Sequence, residues 1–223
     1  MKNASLTLLC ALGIAGAAPA ATFYNIASVS ANTAGTDLWP ASNLIQGPGA
    51  GFDAAEPHNQ LGGGDTHRWV TTACSFPCDY YSTLPAPVLT FDLGSDRELS
   101  EISVWGYTSG NTNGVKDFSL KFGTSAEGAA QIGTSITFNP SFTPVTRDDV
   151  PRNSFPFSET VTARFVQMTL TDNYFVAPGD IAPNNGGDRV GMGEVAFRVI
   201  PEPSTALLSA LAGLGLLRRR RRS

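Results

Sequence analysis

Histidine is almost missing from this chain: His58 and His67 are the only two in 223 residues. Cysteine is scarce too, at three. No Gly-x-Ser-x-Gly elbow, His-Glu-x-x-His run or glycine-rich phosphate loop occurs. These absences exclude the common histidine-based zinc sites and nucleotide-binding loops. They also leave a Ser-His-Asp triad with little to draw on, so both histidines read as loop-surface residues and no catalytic residue is assigned. Asp148–Asp149 and Glu98–Glu101 have the residue type of paired glycosidase carboxylates, but their turn-like surroundings read as solvated charge. Long apolar runs are absent as well. The two runs present, Leu6–Ala18 and Thr205–Leu217, are about 13 residues each, short of the ~20 that a spanning helix needs. Sustained helical periodicity is missing between them.

What is present divides the chain into three. Residues 1–20 run from Lys2 through the Leu6–Ala18 core to the small-x-small site Ala18-Pro19-Ala20, the pattern of a secretory signal peptide. Residues 21–200 form one domain, large enough for its own core. Residues 201–223 are a tail: Pro201-Glu202-Pro203-Ser204, the apolar run, then Arg218, Arg219, Arg220, Arg221 and Arg222. The prolines cannot continue a strand and separate the tail from the domain. The arginines stop the apolar run at the cytoplasmic side of a bilayer. Loss of Lys2 and the five arginines would leave 9 basic against 19 acidic residues, a net charge of −10. Such a surface repels phosphate backbones, so nucleic acid is excluded as a partner. In an oxidising compartment, Cys74 and Cys78 are expected to pair as a disulfide.

The domain reads as short strands. Leu89, Phe91 and Leu93 alternate with Thr90 and Asp92. Phe118, Leu120 and Phe122 share a face, as do Val166, Met168 and Leu170 of an expected strand at Arg164–Thr171, and Val195, Phe197 and Val199 of one over Val190–Ile200, with Glu194, Ala196 and Arg198 on its other face. Ile102 and Val104 point inward on a further strand, and Gly94-Ser95-Asp96 reads as a turn. Ser135–Phe138 is expected as a strand, Gly123–Pro156 as otherwise loop-rich, and Ser42–Ile45 as one helical turn. Strands without crossover helices give an all-β, antiparallel sandwich or barrel. Trp69 is expected in the core. Trp39, Tyr80, Tyr81, Tyr107, Tyr174 and Phe175 fall in or beside loops. Tyr174 and Phe175, set among Asp172, Asn173, Asp180 and Asn184, either cap the sandwich or stack on a sugar ring. Tyr107, Asp172, Asn173, Tyr174 and Phe175 are therefore the candidate ligand contacts.

Two resemblances follow from these residues. The tail, with Pro201, Glu202 and Pro203 before an apolar helix and an arginine cluster, resembles the PEP-CTERM sorting signal of bacterial exported proteins. That resemblance implies passage through the secretion machinery, transient membrane anchoring and cleavage by an exosortase-type membrane protease. The destination would be the cell envelope or extracellular matrix; the alternative is an ordinary membrane anchor. In the domain, Leu89–Gly94, Ile102–Trp105, Gly114–Leu120, Ala163–Met168 and Gly193–Val195, with Ala41–Gly47 upstream, are similar to the discoidin or coagulation-factor C-type family of galactose-binding-like domains. This implies an eight-stranded antiparallel jelly-roll β-sandwich that binds rather than catalyses, with glycan or exopolysaccharide the favoured ligand. It also implies a structural calcium ion, Ca2+, at Gln46, Asp65, Thr66 and Glu194; Gln46 stands where the family usually has Asp. Other readings are a structural matrix or adhesion protein without a small-molecule pocket, and an enzyme with dispersed catalytic residues.

Overall fold

The computed structural model describes residues 23–33, 39–46, 68–75, 78–107, 112–131, 136–138, 152–175 and 186–199. The expected signal peptide (1–20) and sorting tail (201–223), with His58, His67, Asp65, Thr66, Asp148–Asp149, Asp180 and Asn184, lie outside the described residues. Among the described residues eight strands are present: β1 (Ser28–Ala31), β2 (Trp69–Val70), β3 (Val88–Trp105), β4 (Val115–Gly123), β5 (Ile136–Phe138), β6 (Asn153–Asn173), β7 (Gly191–Met192) and β8 (Glu194–Val199). One helical turn, α1 (Tyr80–Thr83), and 3-10 turns at Ala41–Ile45 and Ala129–Gln131 complete the order. Every pairing between these strands is antiparallel, and the fold is the antiparallel jelly-roll sandwich expected from the sequence.

Two long strands build the sandwich. β3 has 18 residues and β6 has 21, and they pair with each other along two arms. Val88–Asp92 pairs with Phe165–Thr169, and Ile102–Val104 pairs with Asn153–Phe155. Between the arms the register slips at Asp92/Arg97 and Leu99/Glu101, the local irregularity by which a strand bends and twists. Gly94 has φ +78° there, a backbone state that side-chain-bearing residues rarely adopt. The expected turn at Gly94–Asp96 is thus a bend inside one strand. β1 joins the first arm of β3, β4 joins the second half of β6, and β8 joins the second arm of β3.

Aromatic pairs show that the arms fold onto each other. Phe91 meets Phe197 edge-to-face with ring centroids 5.7 Å apart, Phe118 meets Phe155 at 5.2 Å, and Phe122 meets Phe157 at 5.4 Å. In each pair one residue sits in the β3–β6–β4 layer and the other in the β8–β3–β6 layer. Leu89, Phe91, Val166, Met168, Leu170, Phe122 and Trp69 are fully buried between them. Burial of each large apolar side chain is worth about 1.5–3 kcal/mol.

The structure corrects four expectations. The strand expected at Arg164–Thr171 begins at Asn153, so the end of the supposed loop region is strand. The stretch expected as one strand over Val190–Ile200 is broken at Gly193 into β7 and β8. The face of β3 and β8 expected outside is buried too: Ser103, Trp105, Glu194 and Ala196 are at most 1% exposed. Part of the reason is the segment before β1. Phe23 packs on Trp105 and Ala196, and Tyr24 donates its backbone N–H to Phe197 O at 2.9 Å. Finally, Glu101 is not a solvated turn charge. It lies in β3, accepts a hydrogen bond from Ser103 Oγ at 3.1 Å and pairs with Arg198 at 3.3 Å.

Because β3 and β6 both fold back, their ends lie together. The connections 32–87, 106–114 and 174–193 therefore emerge at one end of the sandwich.

Candidate binding site at the loop end

The loop end is held by hydrogen bonds between segments far apart in sequence. Asn113 is the hub. Its side-chain oxygen accepts from Gly187 N at 2.5 Å, and its backbone oxygen accepts from Gly191 N at 2.8 Å. Asn173 supplies a second clamp. Its amide donates to Gly187 O at 3.1 Å and to Arg189 O at 3.0 Å, while its oxygen accepts from Phe175 N at 3.0 Å. Thr71 Oγ1 accepts from Val190 N at 3.0 Å. Gly187 has φ +87°, and a Cβ there would overlap the Phe175 ring, so only glycine lets these loops approach so closely.

The candidate ligand contacts separate into two kinds. Asn173 is 3% exposed and Tyr107 is 5% exposed; both serve the internal structure of the loop end. Tyr107 packs over Gly191 and carries the Arg68 guanidinium on its ring at 5.2 Å, with Trp39 on Arg68 at 5.5 Å. Stacks of this kind favour a flat guanidinium on an aromatic face. Asp172, Tyr174 and Phe175 are only partly buried and stand at the rim.

At that rim β4 and β6 bring Lys116 against Asp172. Lys116 Nζ lies 2.5 Å from Asp172 Oδ2 and 3.8 Å from Asp117 Oδ2. The hydrogen bond to Asp172 holds the lysine pKa above its ordinary value, with smaller contributions from Asp117 and Tyr174. α1 delivers Tyr81 to the same group. Asp79 caps this single turn, accepting from Tyr81 N at 3.1 Å, as N-cap carboxylates do. Tyr80 is buried beneath and meets Tyr81 edge-to-face at 5.5 Å.

Burial raises the Tyr81 pKa strongly, and Asp172, Tyr80, Asp79 and Asp117 add to the shift. Tyr81 is therefore a neutral hydroxyl donor over any physiological pH. Among the described residues its hydroxyl is buried without a hydrogen-bond partner, a costly state for a polar atom. The tyrosine pair was visible in the sequence as a loop feature. Its closeness to Asp172 and Asp117 was not, because no local pattern encodes proximity across such separations.

Of the calcium-ligating candidates, Gln46 and Glu194 are described. Gln46 closes the 3-10 turn and donates its amide nitrogen to Asn43 Oδ1 at 3.0 Å, so its carbonyl oxygen is the atom with ligand chemistry. Glu194 is 1% exposed at the start of β8, a strand in contact with the Ala41–Ile45 turn. Such oxygen donors suit a hard cation. No group of three or more His, Cys, Asp or Glu able to hold a metal occurs among the described residues.

No family model matches this sequence, and no curated protein does. Solved structures that it is similar to include carbohydrate-binding modules. One is the CBM32 of AlyQ in complex with 4,5-unsaturated mannuronic acid, with TM-score 0.48 and 19% identity, covering 78% of this chain and 96% of that one. Another is the family 32 CBM from C. perfringens NanJ in complex with galactose, with TM-score 0.44 and 15% identity, covering 77% and 92%. A third is chitosan-binding module 1 from a chitosanase/glucanase of Paenibacillus sp. IK-5, with TM-score 0.45 and 12% identity, covering 79% and 97%. Likeness at this level assigns no ligand to this chain.

Proposed function

We propose that this protein is a non-catalytic carbohydrate-binding protein whose loop end takes a sugar of an exopolysaccharide. The observation that carries this reading is the rim at the start of β4 and the end of β6. Partly exposed Tyr174 and Phe175 stand by the Lys116–Asp172 pair, whose charged groups are themselves partly exposed. Sugar rings have apolar faces that pack on aromatic rings, and hydroxyls that both donate and accept hydrogen bonds. Asp172 supplies an acceptor and Lys116 a donor. The loop-end clamps fix this arrangement before a ligand arrives, which lowers the ordering cost of binding.

The tail and leader support an exported protein, handed by its Pro201–Pro203 and Arg218–Arg222 signal to an exosortase-type protease. Gln46 and Glu194, with Asp65 and Thr66, form the proposed calcium set.

A glycan array with the purified protein tests the central claim. Binding should appear on a defined subset of glycans. Tyr174→Ala and Asp172→Asn should each weaken it roughly 10-fold or more, as removal of a stacked ring or a bonded polar group costs about 1–3 kcal/mol. No glycan bound, with the fold intact, would favour the structural matrix or adhesion reading.

A further inference from the structure

The Cys74–Cys78 disulfide is present, and its surroundings point beyond general stabilisation. It closes a ring with only 4 residues of sequence separation, so it removes little freedom from the unfolded chain. The sandwich core draws most of its burial from strands on which neither cysteine lies, and Cys74 packs only against its edge, partly buried. What the ring does touch is local. Cys74 N donates to Asp188 O at 3.0 Å, and Tyr80 N donates to Gly187 O at 3.0 Å. The crosslink therefore sits between two anchors on adjacent residues of the Gly187–Asp188 segment, which Asn113 and Asn173 also clamp. Ser75, inside the ring, has φ +93°, a conformation that a non-glycine residue keeps only where its surroundings impose it. One residue after Cys78, Asp79 caps α1, a single turn that does not persist by itself and that has only Tyr80 in the core. Both cysteines are partly exposed, so a small reductant can reach them.

We propose that Cys74–Cys78 is a redox-sensitive positioning crosslink for the loop end. A dithiol reductant attacks one sulfur and is itself oxidised to its disulfide. The protein S–S bond takes up two electrons and two protons and becomes two thiols. Ser75 then relaxes, and both anchors on Gly187 and Asp188 loosen. α1 no longer holds Tyr81 in place near Asp172, while the sandwich stays folded. That reduction would weaken glycan binding rests on the proposed function; the loosening itself does not.

The test is hydrogen exchange read by mass spectrometry on the full chain in mild detergent, oxidised and after dithiothreitol. Alkylation mapped to peptides should show Cys74 and Cys78 both modified after reduction of the folded protein. Protection in peptides covering 74–84 and 186–192 should fall by about tenfold or more, as for a local opening, with 88–93 and 165–170 unchanged. Cys74→Ser/Cys78→Ser should give the same pattern without reductant. Unchanged exchange at 74–84 and 186–192 in reduced protein would overturn the proposal. So would cysteines that resist reduction in the folded protein, or protection lost equally across the strands. If the double variant does not fold, the reduced natural protein decides. Oxidised protein that binds no glycan would count against the proposed function alone.

Discussion

Replacement of Phe91 by alanine probes the arrangement of the two layers directly. Phe91 is fully buried, pairs with Val166 across β3 and β6, and meets Phe197 edge-to-face. Removing its ring deletes burial and leaves a cavity that neighbours on both layers cannot fill, a loss of roughly 3–5 kcal/mol. In a domain of about 180 residues each kcal/mol moves Tm by about 2–4 °C, so a fall of roughly 6–20 °C is expected. Thr90 is the neighbouring control, since it lies on the opposite face and is half-buried; Thr90→Ala should change Tm by a few degrees at most. The sharper measurement is a double-mutant cycle with Phe197→Ala in urea melts. Phe197 belongs to β8, whose strand partner among the described strands is the second arm of β3 and not the first. A coupling of about 0.5–1.5 kcal/mol beyond additivity is expected for the ring pair. Additive losses would mean that the arms do not fold onto each other. Equal losses at Thr90 and Phe91 would mean that the strand is inverted.

Three other outcomes are expected. Asp92 is held below the usual carboxylate range chiefly by its hydrogen bonds from Arg164, Nε at 2.8 Å and Nη2 at 3.0 Å. A depressed pKa stabilises the fold above the unfolded value and loses that contribution as pH falls through the folded one. Asp92→Asn should therefore flatten the acid limb of a Tm profile below about pH 4, and an unaltered limb would remove this pair from the account. If calcium is held at the proposed set, chelator should lower Tm and Glu194→Gln should abolish that response; identical melts with and without chelator would exclude the ion. Intact-mass analysis of protein exported by a host with the sorting protease should give a C terminus near Pro201–Ser204. Retention of Arg218–Arg222 on surface protein would favour a plain anchor.

The core faces were legible because alternation is a local property of a half-buried strand. Leu89, Phe91 and Leu93, then Phe118, Leu120 and Phe122, then Val166, Met168 and Leu170 all point inward. The bends in β3 and β6 were not legible. Gly94-Ser95-Asp96 and Ser158-Glu159-Thr160 are exposed and polar, which is also the composition of a turn between separate strands. Burial on both faces at Trp105 and Ala196 depends in part on Phe23, more than 70 residues away, and leaves no periodic trace. At the rim the residue types were readable but not their use. Asn173 looked like a ligand contact because amides bond sugars; its position made it a clamp. Tyr81 drew its surroundings from Asp79 capping α1 and from Asp117 and Asp172, brought together only by the β4–β6 register.

The passage of β3 and β6 through both layers also bears on how such a domain diversifies. Neither layer is a transferable unit, because any exchange at a layer boundary would sever two strands in mid-course. The connections 32–87 and 106–114, by contrast, each leave and re-enter the sandwich at the same end. Insertions, deletions and replacements there that spare Leu44, β2 and the Cys74–Tyr80 anchors leave the strand registers untouched. On the proposed function, new specificity is thus accessible by loop substitution alone, provided that Asn113 and Gly187 are kept as the fixed points on which a replacement must close.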